Sequence, residues 1–477
     1  MSKQDFKATP ETARIHYGEV AGPPSASPET ERAAAVAEAG ESPEVTARPV
    51  PVAVMVCHGM GEQVRFETIG QLAAAILKEA RAEGCTAVDT GVELSFQNES
   101  FLARAELNWI KPDGNEHSVH IYEAYWAPVT EGKVTYWDTV CFLSEAAWAG
   151  FKSSRFFRTC TFERYLFGGM KSLTVYKRTK LALLALIVVL TLQVALIGKV
   201  MAKLADQLKH IDTAHFSLWQ IAGVFFPGFF PWHGQSLGHD LAALIGWYLL
   251  VAEVFIVRYF LIEFAGDVAA YISPYKASKF DDIRTRIQSI GLNVAKVIYG
   301  FGNTTVVPEY QRVIFAGHSL GSVLAYDTLN AAINLDATSA MPGARKVVDR
   351  TTKLITFGSP LDKTAFLFRN QSNHVKDPLR EQMASAFQPL ILDYADPAVL
   401  PDPRRKPIRR PDFWTNIYSG MDIISGALEY YDDPAVKPMD PLHVRNIADP
   451  DANIPFYAHV QYWTKPLLAK TLYDAVK

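Results

Sequence analysis

The chain has 477 residues, room for about three average domains or one large domain with insertions. Hydrophobic residues make up 49% and charged ones only 20%, below the roughly 25% of an average soluble domain, which points to apolar surface beyond an ordinary core. A formal net charge of -3 offers no basic field to a phosphate backbone, which argues against nucleic acid as a partner, and four scattered cysteines without a CxxC pair exclude a disulfide scaffold.

Residues 1–48 are rich in Ala, Glu, Pro, Ser and Thr and lack periodic apolar positions, so we expect a disordered tail. No signal-peptide core precedes the first strand, and a cytoplasm-facing, reducing compartment is the simpler expectation. The run PVAVMVC at 51–57 is continuously apolar with β-branched residues, the pattern of a strand buried on both faces in a parallel sheet. An amphipathic helix is expected at 67–82, then strands in VELSFQ, ARAELNWI and HSVHIYEAYWAP from their period-two alternation.

The middle of the chain changes character, and 171–265 reads as an apolar helical insertion between a first domain half, 49–170, and a second, 266–477. Residues 181–198 are eighteen uncharged, mostly apolar residues, about 27 Å of helix against a bilayer core of about 30 Å. The stretch 241–262 is long enough too but carries Glu253 and Arg258, while 216–232 is aromatic, uncharged and broken by Gly and Pro, as an interfacial piece would be. Lys171, Lys177, Arg178 and Lys180 favour a cytoplasmic start, and Lys199, Lys203 and Lys209 on the far side weaken that orientation. We expect a transmembrane hairpin, with a monotopic insertion or a buried apolar lid as alternatives.

Beyond it, a helix is expected at 281–299, followed by VIFAGHSLGSVLAYD, an apolar strand, a sharp turn and a helix. Gly317, His318, Ser319, Leu320 and Gly321 form the G-x-S-x-G pattern of a nucleophile elbow, where a serine sits in a strained turn and the flanking glycines let strand and helix approach. Such a serine needs two amides for its oxyanion: that of the next residue, Leu320, and one from a loop after an early strand, where HGMG places Met60, with Gly59 as the second choice. Gly59 and Gly61 could instead open a dinucleotide fingerprint, but Val64 stands at the third glycine position; His58 has no cluster of neighbours that would make it a metal ligand. Further strands are expected at 353–357 and 413–418.

On the blocks VMVCHGMGEQ, VIFAGHSLGSVLAYD, LITFGSPLD and AHVQYW, the sequence resembles the α/β-hydrolase superfamily, in particular its lipase-like and esterase-like members, over roughly 50–128 and 266–470. The resemblance implies an α/β fold with a mostly parallel central sheet, interrupted here by the apolar block, and a triad in the order serine, acid, histidine. It therefore implies an acid after a late strand, for which Asp422 is the choice over Asp393, Asp396 and Asp362, and a terminal histidine, His459, flanked by Tyr457, Tyr462 and Trp463, over His443. The expected activity is that of a membrane-associated serine hydrolase cleaving carboxylic esters, lipid-like in character, with no metal or organic cofactor and with the catalytic domain facing the cytoplasm. The alternative is a catalytically silent hydrolase-fold scaffold on the membrane that binds partners.

Overall fold

The computed structural model describes residues 13–16, 49–131, 270–271, 278–301, 309–338, 346–364, 408–428 and 440–477, apart from single positions within them, together with residues 133, 138 and 198. Among the described residues the strands are β1 (Ala13–His16), β2 (Val52–Cys57), β3 (Thr86–Gln97), β4 (Ser100–Ile110), β5 (Glu116–Ala124), β6 (Arg312–His318), β7 (Thr351–Phe357), β8 (Trp414–Tyr418) and β9 (Arg445–Ala448). They form one sheet in the order β1-β3-β4-β5-β2-β6-β7-β8-β9. From β5 to β9 every pairing is parallel, whereas β1, β3, β4 and β5 pair antiparallel, so the sheet is mixed and mostly parallel.

Strand alternation explains why helices cover both faces. Ala53, Met55 and Cys57 of β2, with Val313 and Phe315 of β6, share a core with α3 (Ser278–Tyr299) and α4 (Leu320–Thr338). Val52, Val54 and Val56, with Ile314 and Ala316, turn the other way and share a core with α1 (Glu67–Ala82) and the C-terminal α7 (Pro466–Val476). Each fully buried Val or Ile contributes about 1.5–3 kcal/mol, and the all-buried pattern of β2 makes it the centre of a three-layer arrangement. Short helices follow β5 at α2 (Ala127–Thr130), precede β7 at α5 (Lys346–Arg350) and carry the expected histidine at α6 (Ala458–Gln461).

Two boundaries differ from the sequence reading. Residues 13–16, inside the stretch read as a disordered tail, form β1 and pair with β3 in the register Ala13 to Leu94; backbone pairing at a sheet edge orders them without an apolar pattern of their own. Strand β9 was not expected, because RNIA has no apolar alternation and its residues are half-buried or exposed. The rest of 1–48 and the apolar runs at 181–198, 216–232 and 241–262 lie outside the described residues, Gly198 apart. Among the described residues no helix is long and apolar enough to cross a membrane.

Candidate active site

Parallel strands bring their C-terminal ends to one edge of the sheet, and the loops leaving β2, β6, β7 and β8 meet there. Ser319 stands between the last residue of β6 and the first of α4, with φ 53, in the left-handed region that an L side chain enters at a cost of about 1–3 kcal/mol. The turn is fixed from outside and within: Ser319 N–H donates to Phe357 O at 3.0 Å, and Ser322 donates to Ser319 O through N–H (3.0 Å) and Oγ (2.6 Å). Both elbow glycines are sterically required. A Cβ on Gly317 would lie 2.5 Å from Ser322 Cα, and one on Gly321 would lie 2.2 Å from His58 O.

His459, on α6, meets this serine from the other end of the chain. Its Nε2 is 2.8 Å from Ser319 Oγ, and its Nδ1 is 2.9 Å from Asp422 Oδ2. Because the carboxylate only accepts, Nδ1 carries the proton and Nε2 presents its lone pair to the serine hydroxyl. Trp463 and Tyr462 pack nearby through His318, whereas Tyr457, which the sequence grouped with them, is 59% exposed.

Asp422 is buried beyond β8. Its Oδ2 also accepts the Tyr462 hydroxyl at 3.0 Å and its Oδ1 accepts Ile424 N–H at 2.8 Å. Burial alone would push this carboxyl up; the His459 imidazole and the hydrogen bonds from His459, Ser425 and Ile424 outweigh it and hold the group well below the usual carboxylate range. The loop is tied back to the sheet: Asn416 of β8 donates to Gly426 O at 2.9 Å, and Asn446 of β9 accepts Leu428 N–H at 2.8 Å.

The loop after β2 also comes to the serine. A Cβ on Gly59 would lie 3.0 Å from Ser319 Cβ, so Gly59 and the following Met60 border Ser319. Leu320 opens α4, so its N–H has no acceptor within the helix and lies at the positive end of the helix dipole. His318 turns inward, donating from Nε2 to His459 O at 2.9 Å, its ring 5.0 Å from that of His459. Burial first, and then the neighbouring His459, push His318 down to about 3, so it is neutral.

Of the rival residues, His443 precedes β9 and is therefore at the opposite end of that strand from the serine, and Asp362 lies at the start of the helical stretch after β7, outside the Ser319–His459–Asp422 chain. Asp393 and Asp396 are outside the described residues. His58 engages both ring nitrogens with the backbone, and among the described residues no group of His, Cys, Asp and Glu would hold a metal ion. Sequence reasoning missed the Tyr462 hydroxyl on the acid. Its position three residues after His459, one helical turn along, was the available signal. Compared with known proteins, the chain matches no family model, no curated protein and no solved structure.

Proposed function

We propose that the chain is a serine hydrolase of the α/β-hydrolase type, held at a membrane by its apolar block at 171–265, that cleaves carboxylic esters of lipid-like substrates. The observation that carries the reading is the unbroken relay from Asp422 through His459 to Ser319, with the serine on a strained elbow at the N-terminus of α4. In this reaction His459 Nε2 takes the Ser319 proton as Oγ attacks the ester carbonyl carbon. The Leu320 and Met60 N–H groups stabilise the tetrahedral oxyanion, and the imidazolium, held by Asp422, returns the proton to the departing alcohol. Water then repeats the sequence on the acyl-enzyme and releases the acid. The relay uses no cofactor in any step.

Two features support an apolar substrate. One is the uncharged character of 181–198 and 216–232. The other is that Val64 and Phe66, on the loop after Met60, and Ile454, Tyr457 and Val460, around His459, are 40–68% exposed, so large apolar side chains gather on the two segments that flank the serine.

The test is labelling of the full chain in membranes or detergent with a fluorophosphonate, which phosphonylates an activated serine. Wild-type protein is expected to label and Ser319→Ala to lose both labelling and ester hydrolysis while remaining folded. Labelling that persists in Ser319→Ala would move the nucleophile elsewhere, and a wild type that never labels would leave a binding scaffold.

A further inference from the structure

The segment that carries Gly59 and Met60 runs irregularly from the end of β2 to the start of α1, and the end of β5 holds it at three points. Near its start, Trp126 N–H donates to His58 Nε2 at 3.0 Å and the indole Nε1–H donates to His58 O at 3.2 Å. The two rings stack, 4.9 Å between centroids and 11° between planes, and both residues are almost wholly buried. Midway, the Tyr125 hydroxyl donates to Gln63 O at 2.9 Å. At the far end the buried Glu123 carboxylate accepts Phe66 N–H at 3.1 Å, bracing a residue that sits in the left-handed region at φ 74.

The remaining ring nitrogen of His58 is the informative one. Its Nδ1 lies 2.8 Å from Gly59 O, and with Nε2 accepting an amide proton, Nδ1 carries the hydrogen and donates to that carbonyl. Burial pushes the imidazole down to about 4, against the smaller opposing effect of the Gly59 carbonyl, so this neutral tautomer persists near neutrality. The Gly59 carbonyl belongs to the same planar peptide unit as the Met60 N–H, and in a trans peptide the two point in opposite directions. Fixing the carbonyl therefore fixes the direction of the Met60 amide, beside Ser319.

We propose that His58 and Trp126 are positioning residues, a reciprocal clamp that sets the Gly59–Met60 peptide plane so that the Met60 N–H faces the oxyanion. The inference rests on the hydrolase reading above and goes beyond it by assigning the second amide its orienting partners. Trp126 holds the ring, the ring holds the carbonyl, and the amide is aimed before substrate arrives, which is what electrostatic preorganisation requires.

The experiment compares the full-length wild type with Trp126→Phe, which keeps an aromatic ring but loses the indole donor, with His58→Ala, and with His58→Asn, whose amide N–H reaches roughly where Nδ1–H does. The readouts are kcat and KM on an ester, the rate of fluorophosphonate labelling and the affinity for a boronic acid that forms a tetrahedral adduct on the serine. His58→Ala and Trp126→Phe are expected to lower kcat, labelling rate and boronic-acid affinity together by roughly 10- to 100-fold, with KM within about twofold, and His58→Asn to recover part of the loss. Folded variants with unchanged kcat and labelling, or with the whole loss in KM, would overturn the clamp while leaving the hydrolase reading standing. A wild type that does not label would overturn both. Should the variants fail to fold, the imidazole nitrogen shifts of wild-type His58 decide: a neutral Nδ1–H ring is expected at pH 6, and an imidazolium or the Nε2–H form overturns the clamp.

Discussion

At Ser319 a strained backbone and a buried relay coincide, and among the described carboxylates Asp422 completes that relay. Asp449 is the instructive contrast: it too precedes His459 in the chain, follows a strand and is buried, and its Oδ2 has no hydrogen-bond partner, yet its Oδ1 is spent on Asp451 N–H. Asp422 instead accepts His459 Nδ1–H, Tyr462 O–H and Ile424 N–H, so all its bonds favour the ionised form. Replacing it by asparagine would present an amide N–H to Nδ1 and favour the tautomer with the proton on Nε2, which cannot accept from serine. Asp422→Asn and His459→Ala are therefore expected to lower kcat by roughly a thousandfold or more with little change in KM, and Asp449→Asn to leave kcat near that of wild type. Steady-state kinetics on a soluble ester checks this, and a large loss in Asp449→Asn alone would mean that the relay runs through a different acid.

Elements differ in how much of their placement is written locally. The run at 51–57 and the helix at 67–82 were legible because continuous apolar character and a 3.6-residue period are local properties, and the helix has the expected bounds. The elbow was legible because its glycines answer to contacts with the adjoining helix and β2 end, and His459 and Asp422 followed from the order that the resemblance implied. Strand β3 was not fully read: it begins at Thr86, across a register irregularity between Ala87 and Asp89 that breaks the alternation. Nor was the His58–Trp126 pair, since the partners are 68 residues apart and nothing in either local sequence marks the contact. The apolar runs at 181–198 and 216–232 argue by composition alone, and their proposed consequence is direct: after cell fractionation the chain should stay with membranes through a carbonate wash, as an embedded segment would. Release by salt alone would instead favour an apolar block folded against protein.

Across the whole molecule the buried histidines tie stability to pH. His58 and His318 are pushed by burial from an ordinary value of 6.5 to about 4 and about 3, so between those values and 6.5 the unfolded chain binds protons that the folded chain refuses. Stability therefore rises with pH through this window, is fully present above about 6.5, and is lost as pH falls, each histidine changing the folding equilibrium by up to about tenfold per pH unit. His117, pushed down to about 4 by burial but more open to solvent, acts in the same direction more weakly. Glu123 acts oppositely: burial raises its carboxyl, so its protonated form favours the folded chain as pH falls. One carboxyl does not offset two buried imidazoles, and Asp422, held low, withdraws further stability once acid reaches it. Chemical denaturation followed by far-UV circular dichroism at pH 7, 6, 5 and 4.5 should give a midpoint that falls steadily below pH 6.5. Relative to wild type, His58→Asn should flatten that slope by about one proton, because asparagine cannot titrate there. An unchanged slope in the variant would show that His58 takes up its proton in the folded chain as readily as in the unfolded one, and a wild-type midpoint constant from pH 7 to 5 would show that the buried histidines together do not tie stability to pH.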